Sequence, residues 1–433
     1  VRFRLFFLFV ASVLVAQVNE EDFFEDVKEA PLQAADHQES LLEQKSWRLG
    51  GVLKTRIEPV FFWKDLDWLS SRPDDAISLQ FQTDFYLDAR PDRNNGVYAK
   101  VRTAYPYNLE NSVKIFELFT DFRLTEELGF RFGKQVATWG YSRFYQIADV
   151  FSLEPKDPAN PTAELEGPFA FKTVWTPVDA LQTEGLLFLK PAFVPPNQLP
   201  RAEHLGYALR LRALLPWGGE TLLGGFYQKD LSPRLTVGAI SALPGLNVQV
   251  FSDGVFSWGS DRRFVVGQWP LLSTEKRTQE WFASATAGLM YQHRDWKMTL
   301  YAEYLFQSWG SDRSDYLGDL VLLYGMEQML PANQRTLTPD DLRLPYRHYA
   351  SGFVQWTDLF EIKRLGFSVL GLMNFIEPSA TVEPALSWGP TDQILFQGGV
   401  RLAWGKDDSE FVLRQNKNRL SVYLQARLGV QLF

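Results

Sequence analysis

Four histidines, His37, His204, His293 and His348, are available to a general base or a metal site, and none stands in the spacing of a zinc-binding helix or a nucleophile elbow. His348 and Ser351 come nearest to a hydrolase pair. Three residues apart on a strand, they face opposite ways and cannot meet locally. Asp312, Asp315 and Asp319 make an acidic run without EF-hand spacing, so a solvated loop is the simpler reading. Cysteine is absent, which removes thiolate metal sites and disulfides. No glycine loop leads into Lys-Ser or Lys-Thr, no basic stripe alternates with stacking aromatics, and the net charge of -8 argues against nucleic acid. The expectation is a chain that is not an enzyme and has no metal, cofactor or nucleic-acid partner.

What remains is charge on alternating positions. On the polar parity of extended runs stand Arg48, Lys54, Arg56, Lys100, Arg102, Arg123, Arg131, Arg210, Arg212, Lys297, Arg401 and Arg427, with Gln80, Gln82 and Gln135 among them. Glu58, Asp84, Asp88, Glu117, Asp121 and Glu303 oppose them, so bases outnumber acids about two to one on this face. Rings of such residues set ion preference in a pore, and the reading preferred here is a lumen that favours anions. The alternative is that they pair across strands and stiffen the wall.

The elements that must carry these residues are strands. Between residues 77 and 87, Ile77, Leu79, Phe81, Phe85 and Leu87 fall on one side and Ser78, Gln80, Gln82, Asp84 and Tyr86 on the other. Runs of about ten such residues suit a tilted crossing of a membrane better than a soluble sheet. They recur near 47–62, 75–88, 95–107, 113–124, 128–139, 167–177, 181–190, 203–215, 219–228, 233–243, 246–257, 280–293, 295–309, 345–357, 363–375, 379–389, 391–404 and 419–433. Aromatics make up 15% of the chain, enough for girdles at two water interfaces, and no stretch after the first seventeen residues is a spanning helix. The expected fold is all-β, a transmembrane antiparallel up-and-down barrel of about eighteen strands, with sixteen as the alternative.

Loop parity agrees with that count. Residues 63–74, 140–167, 258–279 and 310–344 fall outside, whereas Glu126-Glu127, Pro244-Gly245, Arg294-Asp295 and Pro390-Thr391 make tight periplasmic links. Residues 1–17 carry the parts of an export signal: Arg2 and Arg4, an apolar run from Leu5 to Ala11, and small residues to Ala16. Residues 18–46 read as an acidic periplasmic arm and 47–433 as the barrel.

The most distinctive stretch runs Arg131-Phe132-Gly133-Lys134-Gln135-Val136-Ala137-Thr138-Trp139-Gly140, then Tyr141-Ser142-Arg143-Phe144, then Ala148-Asp149-Val150-Phe151-Ser152-Leu153-Glu154-Pro155-Lys156-Asp157. It resembles the "G-(R/K)-Q…W-G…D…P-x-D" element of porin-like families, including the DUF1302 and alginate-export barrels. The resemblance covers about thirty residues and implies a porin-type barrel with no particular solute. The loop that follows is long enough to fold into the barrel mouth, where Arg143, Glu154, Lys156 or Asp157 would narrow the pore. The alternative makes Trp139 a girdle residue and rests the loop on the rim. The closing strand ends on Phe433, which resembles the signal read by the barrel-assembly machinery, although it stands one step out of phase.

These observations converge on an outer-membrane channel for passive diffusion of small hydrophilic, anionic solutes. Its partners are membrane lipid, the solutes and the barrel-assembly machinery, and association of copies stays open. A fatty-acid type transporter is one rival, although 18–46 is short and acidic for a plug and lacks Asn-Pro-Ala. An adhesive or structural barrel is the other, working through the apolar loop 310–344.

Overall fold

The computed structural model describes residues 47–431 except 65–73, 93, 106–112, 195–197, 268–270 and 332–333. The expected export signal (1–17), acidic arm (18–46) and terminal Phe433 lie outside the described residues.

Strands dominate. In chain order they are β1 (Trp47–Trp63), β2 (Asp74–Ala89), β3 (Asn95–Tyr105), β4 (Val113–Arg123), β5 (Leu128–Lys134), β6 (Phe169–Val178) and β7 (Leu181–Leu189). Next come β8 (Gly206–Leu214), β9 (Glu220–Tyr227), β10 (Arg234–Leu243), β11 (Val248–Trp258), and the short pair β12 (Arg263–Val266) and β13 (Ser273–Lys276). The chain continues through β14 (Trp281–His293), β15 (Met298–Gln307), β16 (His348–Trp356), β17 (Leu365–Asn374), β18 (Ser379–Thr391), β19 (Ile394–Trp404) and β20 (Leu420–Gln431). Among the described residues, two α-helices, α1 (Tyr316–Gln328) and α2 (Glu410–Arg414), sit in the loops after β15 and β19.

All strands except the hairpin β12–β13 belong to one 18-stranded sheet. Each pairs antiparallel with its neighbours in sequence, β11 meets β14 across the hairpin, and β20 closes on β1 with Arg427 opposite Arg56. Closure leaves no first or last strand without a neighbour on both sides, the condition for strands to cross hydrocarbon. An even strand count lets the first and last strands meet antiparallel.

The faces are inverted relative to a soluble protein. Ile77 is 69% exposed and Val113 67%, while Asp84 is 4% exposed and Glu303 3%. Apolar side chains face outward to lipid, and charged ones are packed inside. Outward aromatics collect at both rims: Trp258 and Trp281 pack edge to face at 5.1 Å at the long-loop end, while Trp47 and Trp175 stand near the short-turn end. Stacked outer rings link neighbouring strands between them, as in Phe122–Phe130 at 4.9 Å and Phe130–Phe171 at 5.8 Å.

The eighteen expected runs correspond one to one with the barrel strands, and three details differ. β5 ends at Lys134 rather than continuing to 139, because Gly133 takes φ +131° and a Cβ there would lie 2.1 Å from the Leu118 carbonyl oxygen. The link placed at Pro390-Thr391 falls two residues later, since β18 runs to Thr391. Lys297, read as a polar-face residue of a strand, sits in the turn before β15 with φ +46° and pairs with Asp358 at 2.5 Å.

The long loops build their own packing at one end. Leu317, Leu320 and Leu323 of α1 are buried, the last two against Val265 of β12 and Leu337. Part of the apolar character of 310–344 is thus used inside the loop cluster, while Val321, Leu322, Met326 and Met329 stay exposed. In the same region Asp312 pairs with Arg347 at 2.5 Å, and Arg313 pairs with Asp315 at 3.2 Å and with Asp319.

Candidate pore and its inward loop

Residues 135–168 leave the wall and cross the lumen. Their two ends meet at a neck where the Gln135 N–H donates to the Pro168 carbonyl at 3.1 Å. Gly167 is required there, because a Cβ would lie 1.8 Å from the Gln135 carbonyl oxygen. Trp139 is 1% exposed; its Nε1–H donates to Glu184 of β7 at 3.2 Å, and its ring packs on Phe151 at 4.6 Å. Phe151 in turn meets Phe188 of β7 at 5.0 Å. Trp139 is thus an anchor inside the barrel, not a girdle residue, and Gly224 of β9 leaves the space it fills.

Beyond Trp139 the backbone is held by two wall carboxylates. The N–H groups of Tyr141 and Ser142 donate to Asp253 of β11 at 2.8 and 2.7 Å. Those of Arg143, Phe144 and Tyr145 donate to Glu303 of β15 at 2.7, 3.1 and 3.1 Å. Five successive backbone donors would otherwise be buried without partners, so the two acids satisfy the loop as well as tether it. Phe144 and Tyr145 then pack with Tyr301 and Leu305 of β15, Tyr349 of β16 and Phe411 of α2.

The returning limb presents acids to the opposite wall. Glu164 pairs with Lys100 of β3 at 3.1 Å and with Arg102, while Glu166 pairs with Lys114 at 3.5 Å and with Lys134. Burial pushes the Glu164 carboxyl up, but Lys100 and Arg102 outweigh it and hold it at about 2. It is therefore a permanent anion beside the basic wall.

The residues expected inside fall into three groups. Arg48 pairs with Asp88 at 3.2 Å, Arg131 with Asp121 at 2.6 Å and Arg212 with Glu220 at 3.1 Å, while Arg123 stands exposed at the end of β4. Gln135 and Arg210 are interior but covered. Gln135 is fully buried and donates to the Ala170 carbonyl at 3.0 Å; Arg210 binds Glu184 at 2.8 Å beneath the Trp139 ring. The third group gathers on the contiguous strands β19, β20, β1, β2 and β3 and includes Arg56, Gln80, Gln82, Asp84, Lys100, Arg102, Arg401 and Arg427.

Pairing across strands accounts for much of this last group. Arg102 binds Asp84 at 2.7 Å, Arg401 binds Glu383 at 2.8 Å and lies 3.8 Å from Glu58, and Arg56 also reaches Glu58. Among the described residues, Lys54 and Arg427 on this wall make no ion pair. Arg427 stands directly opposite Arg56 in the register, an arrangement that costs stability when like charges face each other.

Of the residues expected to constrict the pore, Asp157 meets Arg414 of α2 at 3.4 Å and Arg143 is tethered through its N–H. Glu154 lines a cavity beside β4. Glu164, Glu166, Glu184 and Asp253 were not singled out from sequence, since each acquires its role only when the barrel closes around the loop, nor was Glu383, whose partner is Arg401 on the neighbouring strand. His348 and Ser351 separate as strand parity requires: His348 contacts Tyr304 Oη at 2.5 Å, whereas the Ser351 hydroxyl, buried inside, donates to the Glu303 carbonyl at 3.3 Å.

No protein-family profile matches the chain, and no curated protein matches it in sequence. Solved structures do resemble it in fold. OccK10 (OpdN) of Pseudomonas aeruginosa superposes with a TM-score of 0.52 at 10% identity, covering 89% of this chain and 99% of that one. OccD3 (OpdP) of the same organism gives 0.52 at 10% identity over 90% and 92%. A BenF-like porin from Pseudomonas fluorescens Pf-5 gives 0.51 at 9% identity over 89% and 99%. At such identities the likeness is one of architecture.

Proposed function

We propose that the chain is an outer-membrane channel through which small hydrophilic solutes diffuse passively, with anions favoured. The observation that carries the reading is the wall formed by β19, β20 and β1–β3. There Lys54, Arg56, Lys100, Arg102, Arg401 and Arg427 face Glu58, Asp84, Glu383 and the loop's Glu164, a surplus of cations inside an acidic protein. The opposed Arg56 and Arg427 add weight, because a purely structural wall gains nothing from two arginines in direct register. The porins similar in fold make a channel the natural use of the architecture.

Mechanism on this reading is diffusion along the basic wall, past the tethered loop. Short-range attraction draws an anion from one guanidinium to the next, and the neighbouring carboxylates keep each step weak enough to release it. The test is the reversal potential of the purified protein in a planar bilayer under a potassium chloride gradient. A potential on the chloride side supports the reading, and a potential on the potassium side overturns it.

The same reading takes residues 1–17 as an export signal, 18–46 as a periplasmic arm and the chain as a non-enzymatic client of the barrel-assembly machinery. Kinship with the DUF1302 and alginate-export barrels also belongs to this proposal, supported by the fact that the matching segment forms the inward loop. Whether copies associate is measured by the mass of the solubilised protein.

A further inference from the structure

The inward turn of β5 leaves a mark on the wall. The last β4–β5 pair is Leu118 with Lys134, and β5–β6 pairing starts at Lys134 with Phe169. Above that level, residues 113–117 of β4 pair with β3 alone among the described residues. β6 begins at Phe169 and β7 ends at its partner Leu189 on the same register line, after which Lys190 leads into the turn Pro191–Phe193. β4 therefore extends past the ends of β5, β6 and β7 and has no strand partner on this side above Leu118 among the described residues.

The gap holds a cavity of about 840 Å³ whose two sides differ in character. Outward, Val113, Ile115, Leu118 and Phe169 line it, and all four are exposed toward the lipid side. Inward, it is lined by Lys114, Lys134 and Lys190 with Glu154 and Glu166. Glu166 is shared by Lys114 and Lys134, and Lys190 donates to the Ser152 carbonyl at 2.7 Å, so three ammonium groups meet two carboxylates.

We infer that this opening seats one anionic lipid of the surrounding membrane, its phosphate at Lys114, Lys134 and Lys190 and its chain over Val113, Ile115, Leu118 and Phe169. A lipid is the occupant because the opening faces sideways, where the outer surface is apolar, and because charge and hydrocarbon contacts lie on opposite sides of one cavity. A hydrophilic solute leaves the apolar side unused, and an uncharged lipid leaves the lysines unused. The site lies apart from the basic residues of β19, β20 and β1–β3, so it stands or falls independently of ion selectivity.

The experiment is native mass spectrometry of the full chain released from nonionic detergent after incubation with phosphatidylglycerol, phosphatidylcholine or lauric acid. The expected result is one phosphatidylglycerol retained per barrel and little phosphatidylcholine. Lys114→Gln with Lys134→Gln should weaken retention about thirtyfold. Lys190→Gln provides a second variant if the double variant fails the heat-shift test for a folded barrel. Equal retention of phosphatidylcholine, retention insensitive to the lysines, or lauric acid held while phosphatidylglycerol is not would each overturn the inference.

Discussion

Replacing Glu303 by alanine should free the middle of the inward loop without disturbing the barrel. The β15–β16 ladder is backbone pairing, and Ser351 bonds the Glu303 carbonyl rather than its side chain, so the wall register survives. What is lost is the common acceptor for the Arg143, Phe144 and Tyr145 N–H groups. At about 1 to 1.5 kcal/mol for each hydrogen bond, with lumen water recovering part, the docked loop loses about 3 kcal/mol. That changes the docked-to-released ratio by about 150-fold. Hydrogen exchange at the amides of residues 141–145 should accelerate by that order, and single-channel current should become larger and noisier as the loop leaves its place. Asp253→Ala removes the acceptor for Tyr141 and Ser142 and should act in the same direction. If both variants kept wild-type amide protection and conductance, the two carboxylates would not be what holds the loop.

Arg427→Gln, which breaks no ion pair among the described residues, should move the reversal potential toward the cation side while raising thermal stability slightly, by about 0.5 kcal/mol, as the charge opposed to Arg56 disappears; unchanged selectivity would count against the basic wall. Trp139→Ala removes the ring that fills the space beside Gly224 and packs on Phe151, and should loosen the loop by about 3 to 5 kcal/mol, seen as new protease cleavage within residues 140–166. Glu377, between β17 and β18, is raised to about 7, first by burial and then by Glu410 and Asp408. Its neutral form favours the closed packing around α2, so that contribution is complete below about pH 4.5 and is lost as pH rises through about 7. Amide exchange in α2 should therefore quicken from pH 5 to pH 8 beyond the intrinsic base catalysis.

The strands were legible because a lipid-facing wall enforces a period of two over ten residues, a pattern that Ile77 to Leu87 carry without help from the rest of the chain. The end of β5 was not legible, because the polar parity of Arg131 continues to Gln135 while the backbone turns inward at Gly133. Nor were the loop's anchors. Backbone N–H groups have no sequence identity, and Asp253 and Glu303 become their partners only through a closed barrel. The ionic wall was half legible: parity placed Arg56, Arg102 and Arg401 inside, but the acids that partly neutralise them include Glu164 from a loop and Glu383 from a strand whose charge was not singled out.

The tether also imposes an order of events on assembly. Tyr141 and Asp253 are 112 residues apart in sequence, and Arg143 and Glu303 are 160 apart. Contacts of such separation form late, after the intervening chain has been fixed. The ends of the loop already find partners on β3, β4, β5 and β7, but its middle, residues 141–145, has none until β11 and β15 are both in place. The narrow passage therefore takes its final shape only when strands far apart in sequence have met.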